Sequence, residues 1–197
     1  MKIYSVEEGN EMLKAARSAV ELSLRSPRFT RDIVERSISH LDAKESVFVR
    51  FLHNQTKTPR GSKAVLEKPR TLNIELVDSA LASARSGSLS YPELEHVIVE
   101  VSIIQSVDRL MGSPTTKLRN FALGEDGLII EYGTRKAVML PHDALEGQLG
   151  KNALFQKACE SIGLPKELWK QQNLRLYKFK AQTFIEGKPN GNAVKLS

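Results

Sequence analysis

The stretch LGEDGLIIEYGTRKAVMLP, from Leu123 to Pro141, carries two turn signals and two apolar runs. Asp126-Gly127 and Tyr132-Gly133-Thr134-Arg135 supply the glycines that tight turns need at positive φ, and they bracket Leu128 to Ile130 on one side and Ala137 to Leu140 on the other. With Leu118 to Leu123 before them, the runs Leu128 to Tyr132 and Lys136 to Leu140 predict an antiparallel β-meander.

Helices and one long strand are expected beyond the meander. Two helices follow Pro141; the clearer one puts Leu154, Phe155, Ala158 and Ile162 on one face, with Gly163 at its end and Pro165 just beyond. From Leu174 to Glu186, Tyr177, Phe179, Ala181 and Ile185 alternate with Lys178, Lys180 and Gln182, the pattern of a strand, and residues 187–197 read as a loose tail. At the other end, Ser5 and Glu8 fit a capping box ahead of a helix lined by Leu13, Ala16, Val20 and Leu24. A second helix after Thr30 turns Val34, Ile38 and Leu41 inward.

The middle of the chain reads strand, strand, helix, strand. Val47, Val49 and Phe51 alternate with Phe48, Arg50 and Leu52 in a mostly buried strand, and His53 to Gly61 is a polar loop. Ser62 to Glu67 then pairs back, and Ile74, Val77, Leu81 and Ala84 mark a helix ended by Gly87. Val97 to Ile104 follows, a strand with one apolar and one mixed face. These elements make a compact unit from Ser46 to Leu110.

At 197 residues the chain suits one domain, or two subdomains sharing a core. Cys159 is the single cysteine, so no intramolecular disulfide forms, and a reducing, cytoplasmic setting is the expected one. No apolar run reaches the roughly 20 residues that span a bilayer, and no membrane partner is expected. The net charge of +6 admits nucleic acid or an anionic ligand as partner. Its densest stretch, Lys57, Arg60, Lys63, Lys68 and Arg70, is interrupted by Glu67; a solvated basic surface is the plainer reading.

Chemical motifs are scarce. His40, His53, His96 and His142 stand alone at spacings that aim no two imidazoles at one ion, so no metal site is expected. Gly124 to Gly127 precedes a strand, whereas a phosphate loop needs a helix N-terminus behind it, and no cofactor is implied. Cys159 lies on an apolar helix face where burial raises a thiol pKa. Trp169, Tyr177 and Phe179 read as core aromatics, and the acid pairs Glu7-Glu8 and Glu125-Asp126 fall at a helix start and a turn.

From Val97 onward the chain resembles the AMMECR family, named for the AMME syndrome chromosomal region. Val99-Glu100-Val101-Ser102-Ile103-Ile104 is similar to the family's V-E-V-S-x-L, Asp126 to Arg135 to its D-G-L-I-V-x-Y-G-x-R, and Met139-Leu140-Pro141 to its L-L-P. Cys159, Gly163, Leu164, Pro165 and Trp169 fall on C-x-K-A-G-L-P-x-x-x-W, and Tyr177, Phe179, Ala181 and Phe184 on Y-x-F-x-A-x-x-F. The family hallmark L-R-G-C-I-G reads here Pro59-Arg60-Gly61-Ser62-Lys63-Ala64, with Arg60 and Gly61 retained and the cysteine replaced by Ser62.

The resemblance implies an α+β domain over residues 1–186, with two subdomains, each an antiparallel sheet flanked by helices, and a cleft between them lined by the hallmark. Residues 1–45 with 111–186 would form the larger subdomain and 46–110 the smaller. A thiol ionises near pH 8.5, whereas a serine hydroxyl needs a partner base, so cysteine-dependent chemistry is not expected. His53 is near Ser62 in sequence, but no third orienting group is visible. The site candidates are therefore Arg60, Gly61, Ser62 and Lys63, binding an anionic small molecule or a partner protein; a basic nucleic-acid-associated protein and an enzyme with an unrecognised site are the alternatives. Relatives occur fused to or beside dioxygenase-like and radical-SAM proteins, which implies a shared pathway.

Overall fold

The computed structural model describes residues 2–26, 28–65 and 70–196, without the side chains of 63–65. The chain is α+β, with antiparallel strand pairing. Its contacts divide it into two compact units, Met1–Ile104 with Gln182–Ser197, and Gln105–Ala181. These boundaries differ from the sequence-based grouping of 1–45 with 111–186, because the first helix packs its apolar stripe into the core of the middle helix and strands.

In the first unit, α1 (Val6–Arg25) starts at the expected capping box: Glu8 N–H donates to Ser5 Oγ at 3.2 Å and Ser5 N–H to the Glu8 carboxylate at 2.9 Å. Met12, Leu13, Ala16, Ala19 and Val20 form its buried stripe. Gly9 lets the helix approach Phe184, whose ring would lie 2.3 Å from an added Cβ. The short α2 (Asp32–Ser37) contributes Val34, with Ile38 and Leu41 buried just beyond it.

The strands β1 (Ser46–His53), β2 (Pro59–Val65) and β3 (Val97–Arg109) follow, with α3 (Leu72–Ser86) between the last two. β2 begins three residues earlier than the sequence pattern suggests, and Glu67 and Lys68 lie outside the described residues. The hydrogen-bonded order is β2-β1-β3, then β6 (Arg175–Glu186), with β7 (Ala193–Lys195) on β6. Val47, Val49 and Phe51 pair in register with Ile103, Val101 and Val99, and this face shares its core with Leu72, Leu76, Val77 and Ala80 of α3. β7 corrects the expectation of a loose tail: Val194 and Lys195 pair with Ile185 and Phe184.

One buried ion pair ties these pieces together. Arg17, 5% exposed, donates Nε to Glu186 Oε1 at 2.8 Å, Nη1 to Leu94 O at 2.9 Å and Nη2 to Val97 O at 2.8 Å. Its Nη2 also meets Glu186 Oε2, which accepts Val99 N–H at 3.0 Å. A single guanidinium thus joins α1, the 3-10 helix Pro92–His96, β3 and the end of β6.

The second unit holds β4 (Gly127–Tyr132), β5 (Arg135–Met139) and its part of β6, in the order β6-β4-β5. The predicted hairpin is present, Ile130 opposite Ala137, with Gly133 at φ 58° in its turn. The strand expected over Leu118 to Leu123 is absent. Ser113 caps α4 (Pro114–Arg119) by accepting Thr116 N–H at 3.2 Å, and Pro114 occupies the first helical position, where its missing N–H costs nothing. α5 (Pro141–Glu146) and α6 (Lys151–Glu160) complete the unit. Phe121, Phe155 and Trp169 meet edge to face with centroids 5.2 and 5.1 Å apart. Lys117, 4% exposed, donates to Trp169 O at 3.1 Å, and burial lowers its pKa. No helix among the described residues is long and apolar enough to cross a membrane.

Removing one partner of a buried ion pair leaves an uncompensated charge in the interior. Arg17→Ala is expected to lower the unfolding free energy by about 3–5 kcal/mol in urea titrations, and the double variant Arg17→Met with Glu186→Leu to recover most of it.

Candidate functional site

The hallmark residues lie on β2, the outermost strand of the first unit's order. Gly61 stands opposite Phe51 and Pro59 opposite Leu52, so Arg60 is the extra residue of a β-bulge. A bulge takes its residue out of the ladder register and re-aims the side chain. Arg60 Nη2 donates to Glu93 Oε1, and the side chain is 43% exposed, with no partner for Nε or Nη1 among the described residues. Glu93 is itself fixed by Ser90, whose N–H and hydroxyl donate to Oε2 at 3.0 and 2.7 Å. The two Ser90 bonds, with Arg60 contributing after them, hold the Glu93 carboxyl down to about 2.

Gly61 serves packing. A Cβ on Gly61 would stand 2.2 Å from Ser83 O, and one on Gly87 would stand 1.6 Å from Arg60 O. Two facing glycines therefore let β2 cross the C-terminal end of α3 in backbone contact. This is the close backbone approach that Gly61 provides, and it is made by the protein's own helix. The next residue, Ser62, donates its N–H to Ser86 Oγ at 3.3 Å and accepts from the same hydroxyl at 3.2 Å.

With its backbone turned outward to Ser86, Ser62 faces Arg50 as the closer, non-hydrogen-bonded kind of cross-strand pair. Arg50 in turn faces Glu100 and grips it with two bonds, Nε to Oε1 at 2.7 Å and Nη2 to Oε2 at 3.0 Å. Ser62, Arg50 and Glu100 form one row across β2, β1 and β3, exposed at the serine and buried at the carboxylate, which is 1% exposed. His53 is not part of it. It lies three residues along β1, roughly 10 Å at about 3.3 Å per residue, and its Nδ1 accepts Thr56 N–H at 3.4 Å. Lys63 stands opposite Val49 in the ladder; its side chain, like Lys68, lies outside the described residues.

Sequence reading missed Arg50 and Glu100 as a pair. The signal was present: each is the one charged residue within an apolar run, and the two have opposite sign. Ser90 and Glu93 carried a signal too, the S-x-x-E spacing of a capping box. Elsewhere, Cys159 is fully buried and burial raises its thiol pKa, as expected for a packed residue. His142, Asp143 and Glu146 bring one ligand atom each within 4.8 Å of one another, but Asp143 already accepts Leu140 N–H at 2.7 Å as the start of α5.

The chain is similar to known proteins along nearly its whole length. A family model described as AMMECR1 matches residues 13–184. Protein MJ0810 of Methanocaldococcus jannaschii is 28% identical over 200 residues, covering 98% of both chains. A protein of Caldivirga maquilingensis is 30% identical over 200 residues, covering 97% of this chain and 91% of its own. The crystal structure of the uncharacterized protein PH0010 from Pyrococcus horikoshii superposes with a TM-score of 0.83 at 26% identity, covering 96% of both chains.

Gly61→Ala is expected to destabilise the fold by about 1–3 kcal/mol, because backbone atoms on both sides must shift, while the neighbouring Ser62→Ala stays within about 0.5 kcal/mol; thermal or chemical unfolding compares them. Glu93 is expected to stay ionised from neutral pH until the pH falls through about 2. Its depressed pKa makes the Arg60 pairing present above that point and lost below it. In a carbon-detected NMR titration, Ser90→Ala should raise the Glu93 midpoint more than Arg60→Ala does.

Proposed function

The chain belongs to the AMMECR1 family, and from that premise we propose that it binds an anionic small molecule at the Arg60-Gly61-Ser62-Lys63 segment of β2. The observation that carries this reading is the state of Arg60. Its guanidinium meets the half-buried Glu93 carboxylate through Nη2, yet the side chain remains 43% exposed, and Nε and Nη1 have no partner among the described residues. Those N–H groups can each donate a charge-assisted hydrogen bond to a carboxylate or phosphate oxygen.

The neighbours suit the same role. The Ser62 side chain is exposed beside Arg60, and Gly61 seats the segment on α3 so that the backbone beneath both side chains is fixed. Lys63 follows with a further positive charge. Binding rather than covalent chemistry is the role these groups support. Ser62 has no histidine within reach along the strand, and the carboxylate of its row, Glu100, is held at both oxygens by Arg50.

Titration with inorganic phosphate by calorimetry tests the reading. Arg60→Ala is expected to weaken binding by roughly tenfold or more, the loss of a charge-assisted contact, with an unchanged circular dichroism spectrum. Full retention of phosphate binding by the folded variant would reject the site.

A further inference from the structure

The second unit ends in a strand edge with unused backbone groups. β5 is the outermost strand of the order β6-β4-β5, and its ladder with β4 runs without a register shift from Tyr132 opposite Arg135 to Leu128 opposite Met139. The pair that closes a two-residue turn exchanges hydrogen bonds, and bonded and non-bonded pairs alternate from there. Ala137 and Met139 therefore bond inward to Ile130 and Leu128, while Lys136 and Val138 turn N–H and C=O away from β4. Leu176 confirms the phase from β4's other side: it stands opposite Ile130, and its carbonyl also points away from β4, accepting Leu110 N–H at 2.8 Å. The outward groups of Lys136 and Val138 have no backbone partner among the described residues.

The devices that usually keep such an edge single are missing from β5. No proline or register shift interrupts it. Its charged side chains are drawn back over their own unit. Arg135 Nη1 donates to Ile162 O and Gly163 O, both at 3.2 Å, and Lys136 Nζ stands 2.6 Å from Glu131 Oε1. Arg175 holds the other oxygen of Glu131 at 3.3 Å. Val138, on the same face as Lys136, is half-buried.

This edge is complementary to itself in one register. Outward groups must meet outward groups, and a two-fold axis allows few ways to do so. Lys136 opposite Lys136 sets like charges against each other. Val138 opposite Val138 makes Leu140 the next partner of Lys136, but Leu140 N–H already donates to Asp143 Oδ2 at 2.7 Å. Lys136 opposite Val138 uses the N–H and C=O of both residues in each copy. It also puts Ala137 on the axis, where the closer, non-hydrogen-bonded kind of pair suits a small side chain. Each Lys136 stem then covers the other copy's Val138 while its ammonium stays on Glu131.

We infer that β5 is an interface between two copies of this chain, pairing antiparallel with β5 of the second copy, Lys136 opposite Val138 and Ala137 at the two-fold axis.

Sedimentation velocity on the intact chain at rising concentration tests this. The wild-type protein should form a concentration-dependent dimer. Val138→Lys sets like charges opposite each other twice per dimer and should weaken association roughly tenfold, whereas Val138→Glu faces Lys136 twice and should tighten it. Val138→Pro removes an outward N–H and no bond of the β4 ladder, so the circular dichroism spectrum should be kept and the dimer lost. A wild-type chain that stays monomeric overturns the inference, as does a dimer indifferent to all three substitutions. A dimer that Val138→Lys and Val138→Glu change alike rejects the register, and with it the inference.

Discussion

The guanidinium of Arg17 is the contact on which the first unit turns. A charge this deeply buried is tolerable only when its donors are nearly all used, and here Nε, Nη1 and Nη2 reach a carboxylate and two backbone carbonyls. Glu186 is satisfied in return by Arg17 and by Val99 N–H. Hydrophobic burial alone is non-directional. The ion pair supplies direction, fixing where the 3-10 helix sits against α1 and β3 and hence where Ser90, Tyr91 and Glu93 stand.

The hallmark segment is built from three different devices in consecutive residues. A bulge turns Arg60 out of the ladder, a glycine pressed on α3 pins the backbone, and Ser62 returns to register opposite Arg50. Where the resemblance places the hallmark cysteine this chain carries Ser62, and along the same row the Glu100 carboxylate is held at both oxygens by Arg50. A carboxylate committed in this way is poorly placed to take a proton from a neighbouring hydroxyl.

Local signals were legible in the sequence, and long-range ones were mostly not. The capping box at Ser5, the Gly133 turn and the apolar alternation of Val47 to Leu52 and Val97 to Ile104 each depend on neighbouring residues and appear as read, whereas the positive φ expected at Asp126-Gly127 falls at Gly124 and Gly127 opens β4. Leu118 to Leu123 was misread because a helix of α4's length shows little period, and its real marker was Ser113-Pro114. The β7 pairing was hidden by the Gly, Pro and Asn content before it. Gly61 was legible only as part of the retained Arg-Gly; the backbone that packs on it, at Ser83 and Gly87, is more than twenty residues away in sequence. The Arg50–Glu100 pair needed the register of two strands, which no single run of sequence contains.

Ser86 gives the outer side of β2 a property beyond ligand binding. An edge strand with open N–H and C=O groups is a template on which another chain can add a strand, the first step of edge-to-edge aggregation. At Ser62 both backbone groups are already occupied by the Ser86 hydroxyl, and one residue earlier the glycine contact brings α3 against the strand. The bulge at Arg60 adds a break in the spacing that an incoming strand would have to match. Around Ser62 the edge is therefore closed to strand addition while the Arg60 and Ser62 side chains still face solvent.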